Sequence, residues 1–302
     1  MSKNDDGTMT PPNPNFFIIG ASKSGTTAVA EALGTHLDIS MSKIKEPNFF
    51  IKFDSPNAEI TETEFQAYLT EHFSDFQTKV IGEASVGYLL SRRAAEFIYR
   101  FFPNAKLLVI LRNPMERTRS LYEMAVRHGY SHSFHHALCE DGFLLRQNFY
   151  HDQIKRYTDL FQRDQLLILE HSDLRSQWTE CVRKILVFLE VDPQVVPVFV
   201  ERNMGGLPKR RWLKFLSDRR LVKFSKSILP SFMHAQMDRT LKKLLFHKLD
   251  ISPSDAAYMR ENYIEDIRKV DSLLGSQLIQ RWFPDTGVTA PQPLADSRSS
   301  HF

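Results

Sequence analysis

Cysteine is nearly absent from this 302-residue sequence, in which Cys139 and Cys181 are the two thiols. Two cysteines cannot form a disulfide framework, and no C-x-x-C metal spacing accompanies them. We expect buried thiols in a reducing compartment. The sequence also lacks a run of about 18 apolar residues, and residues 1–14 lack the apolar core of a signal peptide. These absences favour a cytoplasmic protein that does not insert into a membrane.

Strong net charge is missing as well. The formal net charge is +3, and charged residues make up an ordinary 25% of the chain. No global field therefore indicates a nucleic acid or a membrane surface as a partner. Phenylalanine is plentiful, with 23 residues, and this predicts a core or a pocket with much flat apolar surface.

The alternation of apolar runs and amphipathic segments predicts an α/β fold with a central parallel sheet. Four runs are apolar throughout, as expected for strands covered on both faces: 16–19, 80–82, 106–111 and 166–169. Amphipathic segments predict helices at 26–33, 62–73, 91–101, 115–128, 152–162, 178–189 and 254–273. Helices on both faces of the sheet would give three layers.

The polar ends of the chain set the predicted domain boundaries. We expect a disordered leader at 1–14, a single domain at 15–285 and a disordered tail at 286–302. Within the domain, residues 211–285 are predicted to form a helical cap, because no strand pattern follows residue 211.

The stretch "FFIIGASKSGTTAVAEAL", residues 16–33, is typical of a strand, a small-residue turn and a helix. Such a turn collects backbone N–H groups and the positive end of a helix dipole. Gly25 permits close approach of an anion. The turn also carries the hydroxyl groups of Ser24, Thr26 and Thr27. We predict an anion site here, the alternative being an ordinary capped turn.

The lysine of this turn departs from a Walker A loop, which places it after the second glycine. Lys23 lies between Gly20 and Gly25, so it should sit close to a 5′-phosphate and the atom bridging from it. The best apolar strand, 106–111, ends in Arg112 rather than in a Walker B acid. Arg112 indicates a second phosphate site or, alternatively, a surface ion pair. Arg117 and Arg119 are expected to point elsewhere.

Four sequence motifs then indicate a more specific function. "GASKSGTT", "KEPNFF", "GEASVGYL" and "LRNPMERTRSLY" occur in an order and spacing that resemble sulfotransferases using 3′-phosphoadenosine 5′-phosphosulfate (PAPS). The resemblance is greatest to the heparan-sulfate-type and bacterial branch and runs from about residue 15 to 283. It implies a P-loop-like three-layer fold and PAPS as donor without a required metal. It also implies sulfuryl transfer to a hydroxyl or amine of a small metabolite or saccharide.

The resemblance also implies roles for particular residues. Lys23 would be catalytic at the departing phosphate, and Glu46 would be the general base. The 5′-phosphosulfate would be bound by Lys23, Ser24, Gly25, Thr26 and Thr27, and the 3′-phosphate by Arg112 and Ser120. Lys209 and Arg210 resemble a late basic loop that closes over the cofactor. The implied acceptor-binding residues are Lys45, Asn48, Phe49, Ser85 and Tyr88.

This chain departs from the family pattern near the acceptor. Asn48 stands where some relatives have histidine, and Ala84 and Val86 stand where lysine or proline is common. A pocket with fewer charges favours a small or partly apolar acceptor.

Two other functions stay open, a P-loop phosphotransferase and a non-catalytic nucleotide-binding protein. The stretch "RHGYSHSFHH", with its histidines at 128–136, has three interpretations: a metal tract, a source of a base, or a solvated loop. We favour the loop, because no carboxylate–histidine metal pattern lies nearby in the sequence.

Overall fold

The structure is a computed structural model that describes residues 11–197, 207–208, 246–247 and 249–284. Its five-stranded sheet is parallel throughout, in the order β2-β3-β1-β4-β5. The strands are β1 (Phe16–Gly20), β2 (Ile39–Met41), β3 (Val80–Ala84), β4 (Lys106–Leu111) and β5 (Leu166–Glu170). A separate antiparallel pair joins β6 (Leu207–Pro208) to β7 (Phe246–His247).

Ten α-helices lie in the described ranges. They are α1 (Thr26–Leu33), α2 (Glu62–Phe73), α3 (Ala94–Phe101), α4 (Pro114–Arg127), α5 (Phe143–Arg146), α6 (His151–Thr158), α7 (His171–Ser176), α8 (Trp178–Phe188), α9 (Pro253–Leu274) and α10 (Leu278–Trp282). Shorter turns of 3-10 helix occur at Phe50–Phe53 and Arg163–Gln165, and a π-helical turn at His136–Glu140. None of these helices combines the length and apolar character that a bilayer crossing needs.

The strands are apolar throughout because each face of the sheet has its own core. In β1, Phe17 and Ile19 point into a core shared with α2, α3, α6 and α9. Phe16 and Ile18 point into a second core shared with α1 and α8. Successive side chains of a strand face opposite ways, so a strand between two helical layers needs apolar residues at every position. The predicted three-layer α/β arrangement is confirmed.

The chain order of the sheet creates a crevice at the carboxyl end of β1. β1 lies between β3 and β4, so the chain leaves it toward one side of the sheet and later returns to the other. Adjacent parallel strands then end at one edge, at Gly20, Ala84 and Leu111. Open α/β sheets bind ligands at such a switch point.

The structure differs from the sequence predictions in several details. The edge strand β2 was not predicted, because three residues are too short to show a pattern. The third predicted helix begins at Ala94 rather than at 91, and Ser91, which precedes it, accepts the Ala94 N–H through its Oγ at 2.9 Å. The expectation that no strand follows residue 211 is wrong at β7. Residues 1–10 of the predicted leader, most of the predicted cap before 246 and the predicted tail at 286–302 lie outside the described residues, and their boundaries stay predictions.

Candidate active site

The turn between β1 and α1 has a backbone that few side chains tolerate. Gly25 has a φ of 88°, and a Cβ there would stand 3.0 Å from Leu174 Cδ2. Lys23 also has a positive φ, 66°. Because a left-handed backbone is uncommon for a residue with a side chain, Lys23 is held by the surrounding structure and not by its own preference.

Two arginines fix the backbone of this turn. Arg112 follows the end of β4, and Arg117 lies in the first turn of α4. Arg112 Nη1 donates to the Lys23 carbonyl at 2.9 Å, and Arg117 Nε donates to the Ser22 carbonyl at 2.9 Å. A trans peptide carries its N–H opposite its C=O, so the amides of Lys23 and Ser24 face away from both guanidinium groups. Within the described part of the chain, the N–H groups of Lys23, Ser24 and Gly25 have no backbone acceptor.

Arg117 is a site residue that sequence reasoning missed. The expectation that it points elsewhere is wrong, since its guanidinium contacts Ser22 of the turn and the residue is 1% exposed. It also donates to the Gln147 carbonyl at 2.6 Å and to Asn148 Oδ1 at 3.0 Å. The available signal was its spacing: positions 114, 117, 118 and 121 form the buried stripe of α4.

Positive charge collects at this turn and is only partly balanced. Burial lowers the pKa of Lys23, and the nearby charges of Arg127 and Arg112 lower it further, while Glu123 opposes them. Ser24 Oγ is fully buried and has no hydrogen-bond partner among the described residues. Grouped cations and an unpartnered buried hydroxyl are both unfavourable in the free protein. An anion would satisfy both, so these residues fit a phosphate group.

Arg112 and Ser120, the predicted 3′-phosphate pair, lie on one segment of the chain. Arg112 follows β4 and forms an ion pair with Glu116 at 3.1 Å, and half-buried Ser120 lies about two turns into α4. His171 also lies beside the turn, with Cδ2 3.6 Å from the place of a Gly25 Cβ. Burial and the Arg112 charge lower the pKa of His171 to about 4, so its ring is neutral at pH 7.

Glu46 and Asn48 reach the same edge of the sheet from the loop after β2. The Glu46 N–H donates to the Ala84 carbonyl at 3.0 Å, and the Asn48 N–H donates to Ser85 Oγ at 3.0 Å. Both residues have a positive φ, 61° and 53°. The described residues contain four such non-glycine positions, and three of them are Lys23, Glu46 and Asn48. Strained backbone of this kind clusters at functional sites.

A cavity of about 420 Å³ connects the turn to this loop. It is lined by Ser22, Glu46, Asn48, Ile51, Lys52, Val86, Gly87 and Leu90. Its volume lies within the range of small-molecule sites. Three of the lining side chains are aliphatic and two, Glu46 and Lys52, are charged, so the expected scarcity of charge near the acceptor stays a prediction.

The predicted acceptor-binding residues divide between the wall of the cavity and the layer beneath it. Asn48 lines the cavity, and Lys45 forms an ion pair with the Glu46 carboxylate. Phe49, Ser85 and Tyr88 are buried instead, at 6%, 0% and 0% exposure. Phe49 stacks on Tyr68 with ring centres 4.3 Å apart. Direct contact of these three with an acceptor stays a prediction, and Lys209 and Arg210 lie outside the described residues.

Glu83, a second residue missed from the sequence, joins this buried layer to the loop. Its fully buried carboxyl group accepts from Ser85 Oγ at 2.5 Å and from Tyr88 OH at 2.6 Å, and Tyr68 OH also donates to it. Burial raises the pKa of Glu83, and the hydrogen bonds oppose that rise. Since Ser85 accepts the Asn48 N–H, the buried carboxyl group supports the backbone that carries Glu46. An acid at the end of an otherwise apolar strand was its only sequence signal.

Comparison with known proteins decides the family. Residues 13–227 match the family described as the sulfotransferase domain, which is more than half of the chain. The chain belongs to the sulfotransferase domain family. The resemblance inferred from the four motifs is therefore confirmed, and so is the predicted enzyme class at the level of the family.

Individual relatives of this sulfotransferase-family chain cover only parts of it. The membrane-associated sulfotransferase kil1 of Dictyostelium discoideum is 32% identical over 114 residues, 38% of this chain and 23% of the relative. The human bifunctional heparan sulfate N-deacetylase/N-sulfotransferase 2 is 27% identical over 202 residues, 60% of this chain and 22% of the relative. The chain spans less than half the length of the curated relatives it matches.

A solved structure supports the fold over nearly the whole chain. The sulfotransferase from Alicyclobacillus acidocaldarius superposes with a TM-score of 0.67, covering 90% of this chain and 99% of that one, at 24% identity. The predicted P-loop-like fold is thereby confirmed.

Proposed function

We propose that this protein transfers a sulfuryl group from PAPS to a hydroxyl or amine of a small metabolite or saccharide. One observation carries the proposal. Among the described residues, the amides of the turn at 23–25 have no backbone acceptor and the buried Ser24 hydroxyl has no partner, and half-buried Lys23 lies beside them. Ser22 of the same turn lines a cavity that Glu46 also borders. Donor and acceptor groups can therefore meet between them.

The turn would hold the 5′-phosphosulfate of the donor. PAPS supplies an activated sulfuryl group whose departure leaves negative charge on the bridging phosphate oxygen. We assign Lys23 to that oxygen, because a fixed cation where charge develops stabilises the transition state more than the ground state. The hydroxyl groups and amides of Ser24, Gly25, Thr26 and Thr27 would bind the remaining oxygens.

The 3′-phosphate would lie against Arg112 and Ser120. A guanidinium gives a charge-assisted hydrogen bond that ADP, which lacks this phosphate, could not use. Arg112 already contacts the carbonyl of Lys23, so the two phosphate sites would be mechanically connected. Lys209 and Arg210 are assigned as further phosphate contacts on the family resemblance alone.

Glu46 is the proposed general base, which would take the proton of the acceptor as it attacks sulfur. Its carboxylate borders the cavity beside Lys45, and the aliphatic wall favours an acceptor with an apolar part. The heparan sulfate relative is named as an N-sulfotransferase, which supports a saccharide amine as one possible acceptor. None of these roles uses a divalent metal. A cytoplasmic location and the lack of nucleic-acid or membrane partners stay predictions.

A binding titration would test the donor assignment. The full chain should bind 3′-phosphoadenosine 5′-phosphate more tightly than ADP in buffer without Mg²⁺. Tighter ADP binding that requires Mg²⁺ would support a phosphotransferase. Binding of the nucleotide without sulfuryl transfer to any acceptor would support a non-catalytic nucleotide-binding protein, and no binding of either nucleotide would contradict the proposal. Mass spectrometry of candidate acceptors incubated with PAPS should then find a product that has gained one sulfuryl group.

A further inference from the structure

Three different metal-ligand side chains meet at a place outside the active-site motifs. The ligand atoms of His135, Cys139 and Asp255 all lie within 4.8 Å of one another. His135 Nδ1 is 2.7 Å from Asp255 Oδ1 and 3.8 Å from Cys139 Sγ. No role in the proposed sulfuryl transfer uses any of the three.

Two distant segments of the chain build this cluster. His135 and Cys139 are four residues apart, across the π-helical turn His136–Glu140, so both face the same way. Asp255 lies 120 residues after His135, in the first turn of α9. The Asp255 N–H donates to Ser252 Oγ at 3.1 Å, and the residue is 7% exposed. The backbone of Asp255 is therefore fixed at the start of its helix, and its carboxylate reaches His135.

The geometry does not suit a catalytic Cys-His-Asp relay. Such a relay needs the imidazole to contact the acid with one nitrogen and the thiol with the other. Here the same nitrogen, Nδ1, is the atom nearest to both Asp255 and Cys139. Three donors converging on one point are instead what a single ion requires.

The donor set and its spacing fit zinc. A tetrahedral Zn²⁺ with ordinary bond lengths separates its nitrogen and sulfur ligands by about 3.5 Å, and nitrogen and oxygen by about 3.4 Å. The structure has 3.8 and 2.7 Å for these pairs. The His135 side chain is 63% exposed, so its ring can turn by the small amount needed. A thiolate and a carboxylate together would also balance the charge of the ion.

We propose that His135, Cys139 and Asp255 form a zinc site whose fourth ligand is water. The site would fasten the π-helical turn to the start of α9. That helix is itself joined to α4 by a hydrogen bond of 2.7 Å between Tyr263 OH and Thr118 Oγ1. A metal tract was one interpretation of the histidine-rich stretch, but the sequence favoured a loop, because the carboxylate that completes the site is remote from that stretch. The histidine-rich stretch, which was predicted to be a solvated loop, would thus connect the π-helical turn to α9.

Metal binding by the stripped full-length chain tests the site directly. We expect one equivalent of Co²⁺ to produce a thiolate-to-metal charge-transfer band, and Zn²⁺ to displace it. Cys139→Ser should abolish the band, and exposed His135→Gln should weaken Zn²⁺ binding at least tenfold. Zn²⁺ should also raise the thermal midpoint of the wild-type chain and leave that of Cys139→Ser unchanged.

Two control variants separate this site from binding elsewhere. Cys181→Ala removes the other thiol, which lies in the second core, and His128→Gln removes a histidine of the same stretch. Both should bind metal as the wild type does. Absence of the charge-transfer band in the wild type, or equal Zn²⁺ affinity in wild type, Cys139→Ser and His135→Gln, would overturn the proposal.

Discussion

The two ends of the candidate active-site cavity are built in opposite ways. At the proposed donor end, Arg112 and Arg117 hydrogen-bond to the carbonyls of the turn, and Arg117 is 1% exposed. At the proposed acceptor end, Glu46 is carried by a short loop, and its side chain is 38% exposed. The loop contacts β3 through the backbone amides of Ser42 and Glu46, and the Asn48 amide contacts Ser85 just after that strand.

This difference suggests which parts of a sulfotransferase site must be rigid and which can vary with the acceptor. Stabilising charge on a departing oxygen requires groups that are in place before the reaction, and the arginines hold the turn in that state. Acceptor recognition can be altered by loop and wall residues without disturbing the donor end. Substitutions at the turn should therefore affect the donor and its leaving group, and substitutions at Glu46 should affect deprotonation of the acceptor.

The largest effect is expected at the acceptor end. Glu46→Gln keeps the size of the side chain but removes its ability to take a proton. Turnover should fall by roughly 10²–10⁴, the usual range for general acid–base catalysis. Affinity for 3′-phosphoadenosine 5′-phosphate should not change, because Glu46 is assigned no contact with the nucleotide. Steady-state kinetics and a nucleotide titration measure the two quantities.

A matched control for this change is Glu62→Gln, on the exposed start of α2, which should retain full activity. Wild-type turnover in Glu46→Gln would remove Glu46 from the mechanism. A loss explained by weaker nucleotide binding would place Glu46 at the donor end instead, and the comparison between the two ends would fail.

The next largest effect is expected from Lys23→Ala. Losing one preorganised group that stabilises developing charge lowers turnover by roughly 10²–10³. The free protein should be no less stable, because the change removes a half-buried cation that lies near Arg112 and Arg127. Steady-state kinetics measure the turnover, and thermal unfolding of the same sample measures the stability. Lys155→Ala, which removes an exposed lysine from α6, is the control; near-normal turnover in Lys23→Ala would contradict the assignment.

Arg112→Ala distinguishes a phosphate contact from a purely supporting one. The change should weaken the binding of 3′-phosphoadenosine 5′-phosphate by about 1.5–3 kcal/mol, the contribution of a hydrogen bond to a charged group. The binding of adenosine 5′-phosphosulfate, which lacks the 3′-phosphate, should weaken much less. Equal losses for both ligands would mean that Arg112 acts through the Lys23 carbonyl, where it donates at 2.9 Å.

The donor end could be predicted from the sequence because its residues are local. Residues 23–27 are contiguous, and a strand–turn–helix pattern brings their amides and hydroxyl groups together. Four of the five strands of the parallel sheet were likewise visible as apolar runs. Helix ends were predicted less well, since hydrogen bonds such as that of Ser91 Oγ to the Ala94 N–H are not revealed by hydrophobic spacing.

Contacts between distant segments could not be predicted in this way. Arg117 meets Ser22 across 95 residues, and Asp255 meets His135 across 120. Phe49 and Tyr88 were assigned to the acceptor by their place in the motifs, but the packing of the aromatic core sets their burial. One sequence reveals which residues are neighbours along the chain, and only the fold reveals which face each side chain takes.

The smallest expected effects come from Ser24→Ala, which should not lower the stability of the free protein but should lower its affinity for the nucleotide. Ser24→Ala removes a buried hydroxyl that has no partner among the described residues. Leaving a polar group buried and unpaired costs stability, so the free variant should unfold at the same temperature as the wild type or slightly above it. Affinity for 3′-phosphoadenosine 5′-phosphate should nevertheless fall by about 0.5–1.5 kcal/mol, the net contribution of one hydrogen bond. Thermal unfolding with and without the nucleotide measures both effects. A variant that is destabilised when free, or that binds as tightly as the wild type, would show that this hydroxyl serves the fold and not the phosphate.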